Sequence, residues 1–349
     1  MILPGSFEKT HIQEIAKTIG KRGDPKLVEK IIYSFSILEQ LKRSGLDLIF
    51  KGGTSLFLMS DTPKRVSIDV DIIITKPPES LHEYFEKLMQ SGLFLEWKDD
   101  NERKSIGSAP VGHYKFFYKS GISQNFGDEP ILLDVLFLPR STYPRTNHIP
   151  IKHKWLLTDE PYDLINVPSF ESLLGDKLTA FAPNTTGILY SKNRPVEIIK
   201  QLFDIAYLFD KVIDLKEVKE SFENIASEEI SYRKLQVTFK DVLQDAFDTA
   251  LLITRREQSS ENFHFLQKGI NNIVNFIINP FRIEDAIICA SKVAYLTQSL
   301  TRDSFSGIQR YSAPEDVEGL TITQAEFAKL NRLKTINPEA FFYWYHAIG

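Results

Sequence analysis

Three aspartates carry the chemistry that this sequence can be expected to do. Asp69 and Asp71 stand one residue apart in RVSIDVDIIIT, within a run of Ile and Val, and Asp134 lies in ILLDVLFL. Side chains alternate faces along a β-strand, so Asp69 and Asp71 are expected to share one face while Ile68, Val70 and Ile72 turn into the core. Like charges side by side repel, and a lone aspartate in an apolar strand is a costly buried charge. A hard divalent cation relieves both problems, because it takes one or two carboxylates and keeps places for phosphate oxygens. Mg²⁺ or Mn²⁺ is therefore the expected guest of Asp69, Asp71 and Asp134. The plainer alternative for Asp134 is a hydrogen-bonded place at a strand end.

The segment just ahead of the first pair fits that chemistry. In KGGTSLFLM, a short strand runs into Gly52 and Gly53, and Thr54 to Met59 is expected to begin a helix. Glycines let backbone approach a phosphate closely, and a helix start offers unpaired N–H groups. Together with the aspartates this describes a nucleoside-triphosphate site without a P-loop, since Gly-x-x-x-x-Gly-Lys-Ser/Thr is absent. Arg65 suits either a phosphate or a neighbouring carboxylate. No Gly-x-Ser-x-Gly elbow and no His or Cys spacing of a zinc site occurs.

The rest of the chain sets bounds. Its 349 residues suffice for two domains, each with its own core. A net charge of -4 excludes a generally basic nucleic-acid coat but leaves room for a local basic patch. The single cysteine, Cys289, allows no internal disulfide, suits a reducing cytoplasm, and in DAIICASK is expected to be an inert core thiol. Neither a signal peptide nor a stretch of about 18 apolar residues occurs, so a cytoplasmic chain with no membrane span is expected.

The elements that must position these residues change character along the chain. Up to about residue 165, helices alternate with strands at Leu46 to Phe50, Ser67 to Thr75, Phe94 to Trp97, Gly112 to Tyr118 and Ile131 to Leu138, which predicts a mixed sheet with helices packed on it. From Ser169 onward the spacing is helical in SFESLLGDKLTAFA, PVEIIKQLFDIAYLFD, LKEVKESFENIAS, SYRKLQVTFKDVLQDAFDTALLITR and FRIEDAIICASKVAYLTQSL. The expected organisation is an α/β (α+β) core domain over 1–165 followed by a mostly helical C-terminal domain over 166–349. Ser304 to Pro314 is expected to be a mobile tether. The aromatic run Phe341 to Tyr345 is expected to dock on the bundle, with base stacking as the alternative. IKHK, from Ile151 to Lys154, is expected to be a solvated strand edge, with a phosphate contact as the alternative.

Four ordered blocks carry a family resemblance: GGTSL, RVSIDVD, LLGDKLTAFAPNTTG and KQLFDIAYLF. They resemble the AbiEii/AbiGii toxins, which include the MenT-type toxins, within the nucleotidyltransferase superfamily with a DNA-polymerase-β-like core. The resemblance implies a nucleotidyltransferase core with Gly53 and Thr54 at the triphosphate and Lys51 and Ser55 nearby, and the residues themselves add Gly52 and Arg65 as nucleotide-binding candidates. It implies that Ser67 lies beside the incoming nucleotide, where some members carry a phosphorylated serine. Lys177 would contact the phosphates and Asp204 would complete the site from the next helix. The fourteen residues between Thr54 and Asp69 are slightly more than is usual in the superfamily, and either Lys192 or Arg194 matches a further basic residue of the family. The activity implied is a toxin's, in a toxin–antitoxin or phage-defence pair: a nucleoside monophosphate passes from an NTP to RNA, with the tRNA 3′ end the leading acceptor, and a cognate antitoxin neutralises it. A small-molecule nucleotidyltransferase and a non-catalytic nucleotide-binding protein are the alternatives.

Overall fold

The computed structural model describes residues 1–20, 23–101, 110–123, 129–138 and 141–349. Its chain divides into two compact units, one of Met1–Ser141, Thr146–Pro168 and Phe276–Asn279, the other of Thr142–Arg145, Ser169–Asn275 and Pro280–Gly349.

The first unit is built on a seven-stranded mixed sheet. Its strands are β1 (Ile49–Lys51), β2 (Val70–Ile74), β3 (Glu96–Asp99), β4 (Val111–Tyr118), β5 (Glu129–Phe137), β6 (Thr146–Pro150) and β7 (Leu164–Pro168), in the order β3-β4-β5-β2-β1-β7-β6. The helices are α1 (Lys9–Ile19), α2 (Pro25–Arg43), α3 (Gly52–Leu58) and α4 (His82–Met89). Helix α2 starts where its sequence says it must: Asp24 caps it by accepting from the Lys26 N–H at 2.9 Å, and Pro25 takes the first position. It packs against α4, β2 and β5. Val70, Ile72 and Ile74 of β2, Leu133 and Val135 of β5, and Phe116 and Tyr118 of β4 are buried in that core. At about 1.5–3 kcal/mol for each buried aliphatic or aromatic side chain, this face fixes the register. A slip of one residue would drive Asp71 and Asp134 into the core.

Two strands, β6 and β7, were not expected from the sequence. Each is five residues long and ends on a proline, Pro150 or Pro168, so locally each looks like a turn. Their strand character comes from distant partners, β7 running parallel to β1 and β6 lying at the sheet edge, where a proline is tolerated. The aspartate strand is also shorter than expected. It begins at Val70, leaving Asp69 exposed just before it, because β1 has already turned into α3 and offers no partner there. The IKHK stretch is not a strand edge. Ile151 and His153 are buried and Lys152 and Lys154 exposed.

The second unit is helical: α5 (Phe170–Ala180), α6 (Pro195–Phe209), α7 (Leu215–Arg233), α8 (Phe239–Arg255), α9 (Glu261–Asn272), α10 (Ile283–Thr301), α11 (Leu333–Ile336) and α12 (Pro338–Ile348). The stretch from Ser231 to Arg255 is not one helix. Lys234 turns left-handed at φ 55°, and Thr238 caps α8 by accepting from the Asp241 N–H. Ser304 to Pro314 is not a loose tether. Arg310 donates to the Phe209 and Val212 carbonyls at 2.8 and 2.6 Å, satisfying the end of α6, and the Gln309 N–H donates to the Tyr295 hydroxyl at 3.0 Å. The aromatic run docks. Phe341, Phe342, Tyr343 and Trp344 are buried, and the Trp344 indole donates to Thr254 Oγ1 at 3.2 Å, which removes these rings from any base-stacking role. Cys289 is a buried thiol that burial pushes up to about 12, as an inert core cysteine should be. Among the described residues no helix is long and apolar enough to cross a membrane.

His153 gives the first unit a pH dependence. Its ring packs against Phe57 and Trp155, its Nδ1 accepts from the Trp155 N–H at 3.2 Å, and burial, aided by the charge of Lys154, lowers its pKa to about 4. The folded value lies below the unfolded one, so the unfolded chain takes up the proton first as pH falls. The stability held by neutral His153 is complete above about pH 6.5 and is lost between there and about pH 4, a change on the order of 3 kcal/mol. Thermal melts at pH 7.5 and 4.5 should show a smaller acid-induced drop for His153→Phe than for the wild type; equal drops would show that His153 does not titrate on unfolding.

Candidate active site

The register of the sheet sets four polar side chains in one transverse row. Lys51 on β1 pairs with Asp71 on β2, Asp71 pairs with Asp134 on the parallel strand β5, and Asp134 pairs with His113 on β4. Paired positions share a face, and that face is opposite the one buried under α2, since Val70, Ile72, Leu133 and Val135 alternate with the aspartates. Neighbouring strands lie about 4.8 Å apart, so the two carboxylates are held at close quarters by backbone pairing. His113 Nδ1 donates to Asp134 Oδ1 at 2.7 Å.

The turn after β1 closes on this row. Gly52 has φ +80°, and a Cβ there would lie 2.2 Å from Asp71 Oδ2. A Cβ on Gly53 would lie 2.3 Å from the Arg65 guanidinium and 2.7 Å from Ser67 Oγ. Gly52 is thus required by its conformation as well as by close approach, and a side chain on Gly53 would have to displace the Arg65 and Ser67 side chains. Thr54 and Ser55 support the turn from inside. Both are buried, Thr54 donating to the Asp69 carbonyl at 2.6 Å and Ser55 to the Gly52 carbonyl at 2.9 Å. Their hydroxyls are therefore committed to backbone, and the turn presents the glycines instead. Arg65 is buried, donates to the Val66 carbonyl at 3.0 Å and bridges Ile277; the Val66 N–H donates to the Phe276 carbonyl at 2.7 Å. The loop carrying Arg65 and Ser67 is thereby fastened beside Gly53.

Among the described residues no group of three or more His, Cys, Asp or Glu side chains is arranged to hold a metal ion by itself. The donor set nevertheless suits one kind of ion. Asp71 and Asp134 are hard oxygen donors on adjacent register positions, Asp69 is exposed two residues from Asp71, and Gly52 brings its backbone against Asp71 Oδ2 where a Cβ would not fit. That fits Mg²⁺ or Mn²⁺ taking one or two carboxylates, with water and phosphate oxygens filling the remainder.

Lys177 and Asp204 meet each other in the second unit. Lys177 Nζ lies 3.1 Å from Asp204 Oδ2, their side chains only 9% and 3% exposed. Helix α5 brings Lys177 there: Ser169 caps it by accepting from the Ser172 N–H at 3.0 Å, and Gly175 lets the α7 backbone approach, a Cβ there falling 2.6 Å from the Phe222 nitrogen. The preceding residue, Asp176, accepts from the Tyr143 hydroxyl at 2.7 Å. Removing one partner from so buried a pair leaves an uncompensated charge, so the pair holds its helices as well as its own geometry.

His113 is not legible from the sequence, because GHYKFFY carries no local sign that its histidine faces Asp134. Only the pairing of β4 with β5 reveals it.

Comparison with known proteins gives the family. The model of the family described as "Nucleotidyl transferase AbiEii toxin, Type IV TA system" matches residues 36–271. Among solved structures, JHP933 from Helicobacter pylori is 13% identical, with a TM-score of 0.44 over 80% of this chain and 96% of that one. A second H. pylori protein, an inferred nucleotidyltransferase, is 14% identical with a TM-score of 0.43, over 79% of this chain and 96% of that one. No protein of curated function matches the chain. The family match spans β1, β2, β5, α5 and α6 and every candidate residue placed above, and the chain belongs to the AbiEii nucleotidyltransferase toxin family.

Proposed function

We propose that this nucleotidyltransferase transfers a nucleoside monophosphate from an NTP to an RNA acceptor, the tRNA 3′ end first among candidates, in the cytoplasm and under the control of a cognate antitoxin. The observation that carries the proposal is the pairing of Asp71 with Asp134 beside a glycine turn that closes on Asp71. Residues 1–165 would form the transferase core and 166–349 the helical part.

Asp69, Asp71 and Asp134 would hold the divalent ion, which when bound supplies a Lewis acid that offsets charge developing on phosphate oxygens. Gly52 and Gly53 admit the triphosphate to the backbone, with Lys51 and Arg65 as flanking cations and Ser67 beside the nucleotide. The acceptor hydroxyl attacks the α-phosphorus in line, its proton released to solvent near Asp134, and pyrophosphate leaves. Lys177, paired with Asp204, is the cation that the family resemblance assigns to phosphate.

Incubating the protein with Mg²⁺, each α-labelled NTP and total tRNA should label RNA with one nucleotide preferred, and Asp69→Ala should lower labelling by at least about a hundredfold. NTP binding without transfer to any acceptor would overturn the transferase role, and transfer to a small hydroxylated molecule in place of RNA would overturn the acceptor. Expression of the wild type should arrest bacterial growth, and Lys177→Ala at matched soluble levels should not. Equal growth with both would contradict a toxic role.

A further inference from the structure

We propose that His113 is a positioning residue for the Asp134 carboxylate, holding one oxygen so that the other is turned to the ion; this rests on the assignment of Asp134 above. Three observations carry it. First, His113 Nδ1 donates to Asp134 Oδ1 at 2.7 Å, and Asp134 Oδ2 accepts from no described residue. Second, the backbone of His113 is bound on its other side. Its N–H donates to Asn101 Oδ1 and its carbonyl accepts from the Asp100 N–H, both at 2.8 Å. His113 and Asp134 are therefore a non-hydrogen-bonded pair of the antiparallel ladder, the kind whose side chains lie closer. Third, the same row continues from Asp134 to Asp71, so a swing of the Asp134 carboxylate changes its separation from the second carboxylate.

An ionised carboxylate only accepts, so Nδ1 carries the hydrogen and the ring orientation is set by that bond. With one oxygen tied, rotation of the carboxylate is restrained before the ion arrives. Partners of this kind around a ligating group contribute about 10–100-fold to metal affinity. A merely structural histidine would contribute to stability and leave ion affinity unchanged.

The test is Mn²⁺ binding to the full chain, read by the paramagnetic resonance signal of free Mn²⁺, with thermal melts alongside. His113→Phe should raise the Mn²⁺ dissociation constant by at least about tenfold. His113→Asn, whose amide reaches the Nδ1 position, should stay within about threefold of wild type, and His113→Gln, whose amide lies at the Nε2 position, should resemble the Phe variant and replaces it if that variant does not fold. Asp134→Asn separates the two assignments. If it weakens Mn²⁺ binding while the His113 variants do not, or if the Asn and Gln variants lose equally, the positioning role is overturned alone. If Asp134→Asn binds Mn²⁺ as the wild type does, the place of Asp134 in the ion site falls, and the role of His113 with it.

Discussion

The parallel pairing of β2 with β5 is the constraint on which the first unit depends. It places Asp71 against Asp134, two like charges that the backbone will not let separate. Aliphatic burial on the opposite face holds them there. Val70, Ile72, Leu133 and Val135 are packed in the core, so relieving the repulsion by a register shift would expose that set and bury the carboxylates. The repulsion is instead answered along the row, by a hydrogen bond from His113 on one flank and by Lys51 as the paired residue on the other. A cation between carboxylates and phosphates extends the same solution to a substrate.

The helical unit solves a related problem differently. Lys177 and Asp204 are both buried, and their contact answers a desolvation that neither could bear alone. Lys292 does the same near the C-terminus, where it pairs with Asp210 at 2.9 Å and Glu339 at 3.2 Å, and its charge lies over the Phe209 and Tyr343 rings. Although burial opposes its charge, those carboxylates leave the Lys292 pKa raised. The two pairs have the same chemistry but different surroundings. Lys292 lies over the rings of Phe209 at the end of α6 and Tyr343 of the docked last helix, whereas Lys177 sits on α5, one residue from Asp176 and two from Gly175.

Much of this arrangement was legible in the sequence, because the strongest signals are local. Asp24-Pro25 announces α2, apolar alternation around Asp71 and Asp134 announces buried strands, and Gly52-Gly53 announces a close approach. The features that escaped depend on partners far along the chain. Five-residue strands ending in proline become β6 and β7 only through each other and β1, and His113 gains its role only from the strand beside it. Arg310 likewise reads as a loop residue until the open carbonyls at the end of α6 are seen to need it. Thr54 follows the glycine pair in the sequence, but its place under the turn follows from the path of the chain into β2, where its hydroxyl meets the Asp69 carbonyl.

The proposed mechanism needs an ion at the paired carboxylates, and a crystal grown with Mn²⁺ and a non-hydrolysable NTP analogue tests that most directly. Anomalous difference density about 2.1 Å from carboxylate oxygens of Asp71 and Asp134, with the analogue's phosphates against Gly52 and Gly53, is the predicted result. Density bound elsewhere, with Asp71 and Asp134 touching neither ion nor phosphate, would contradict it.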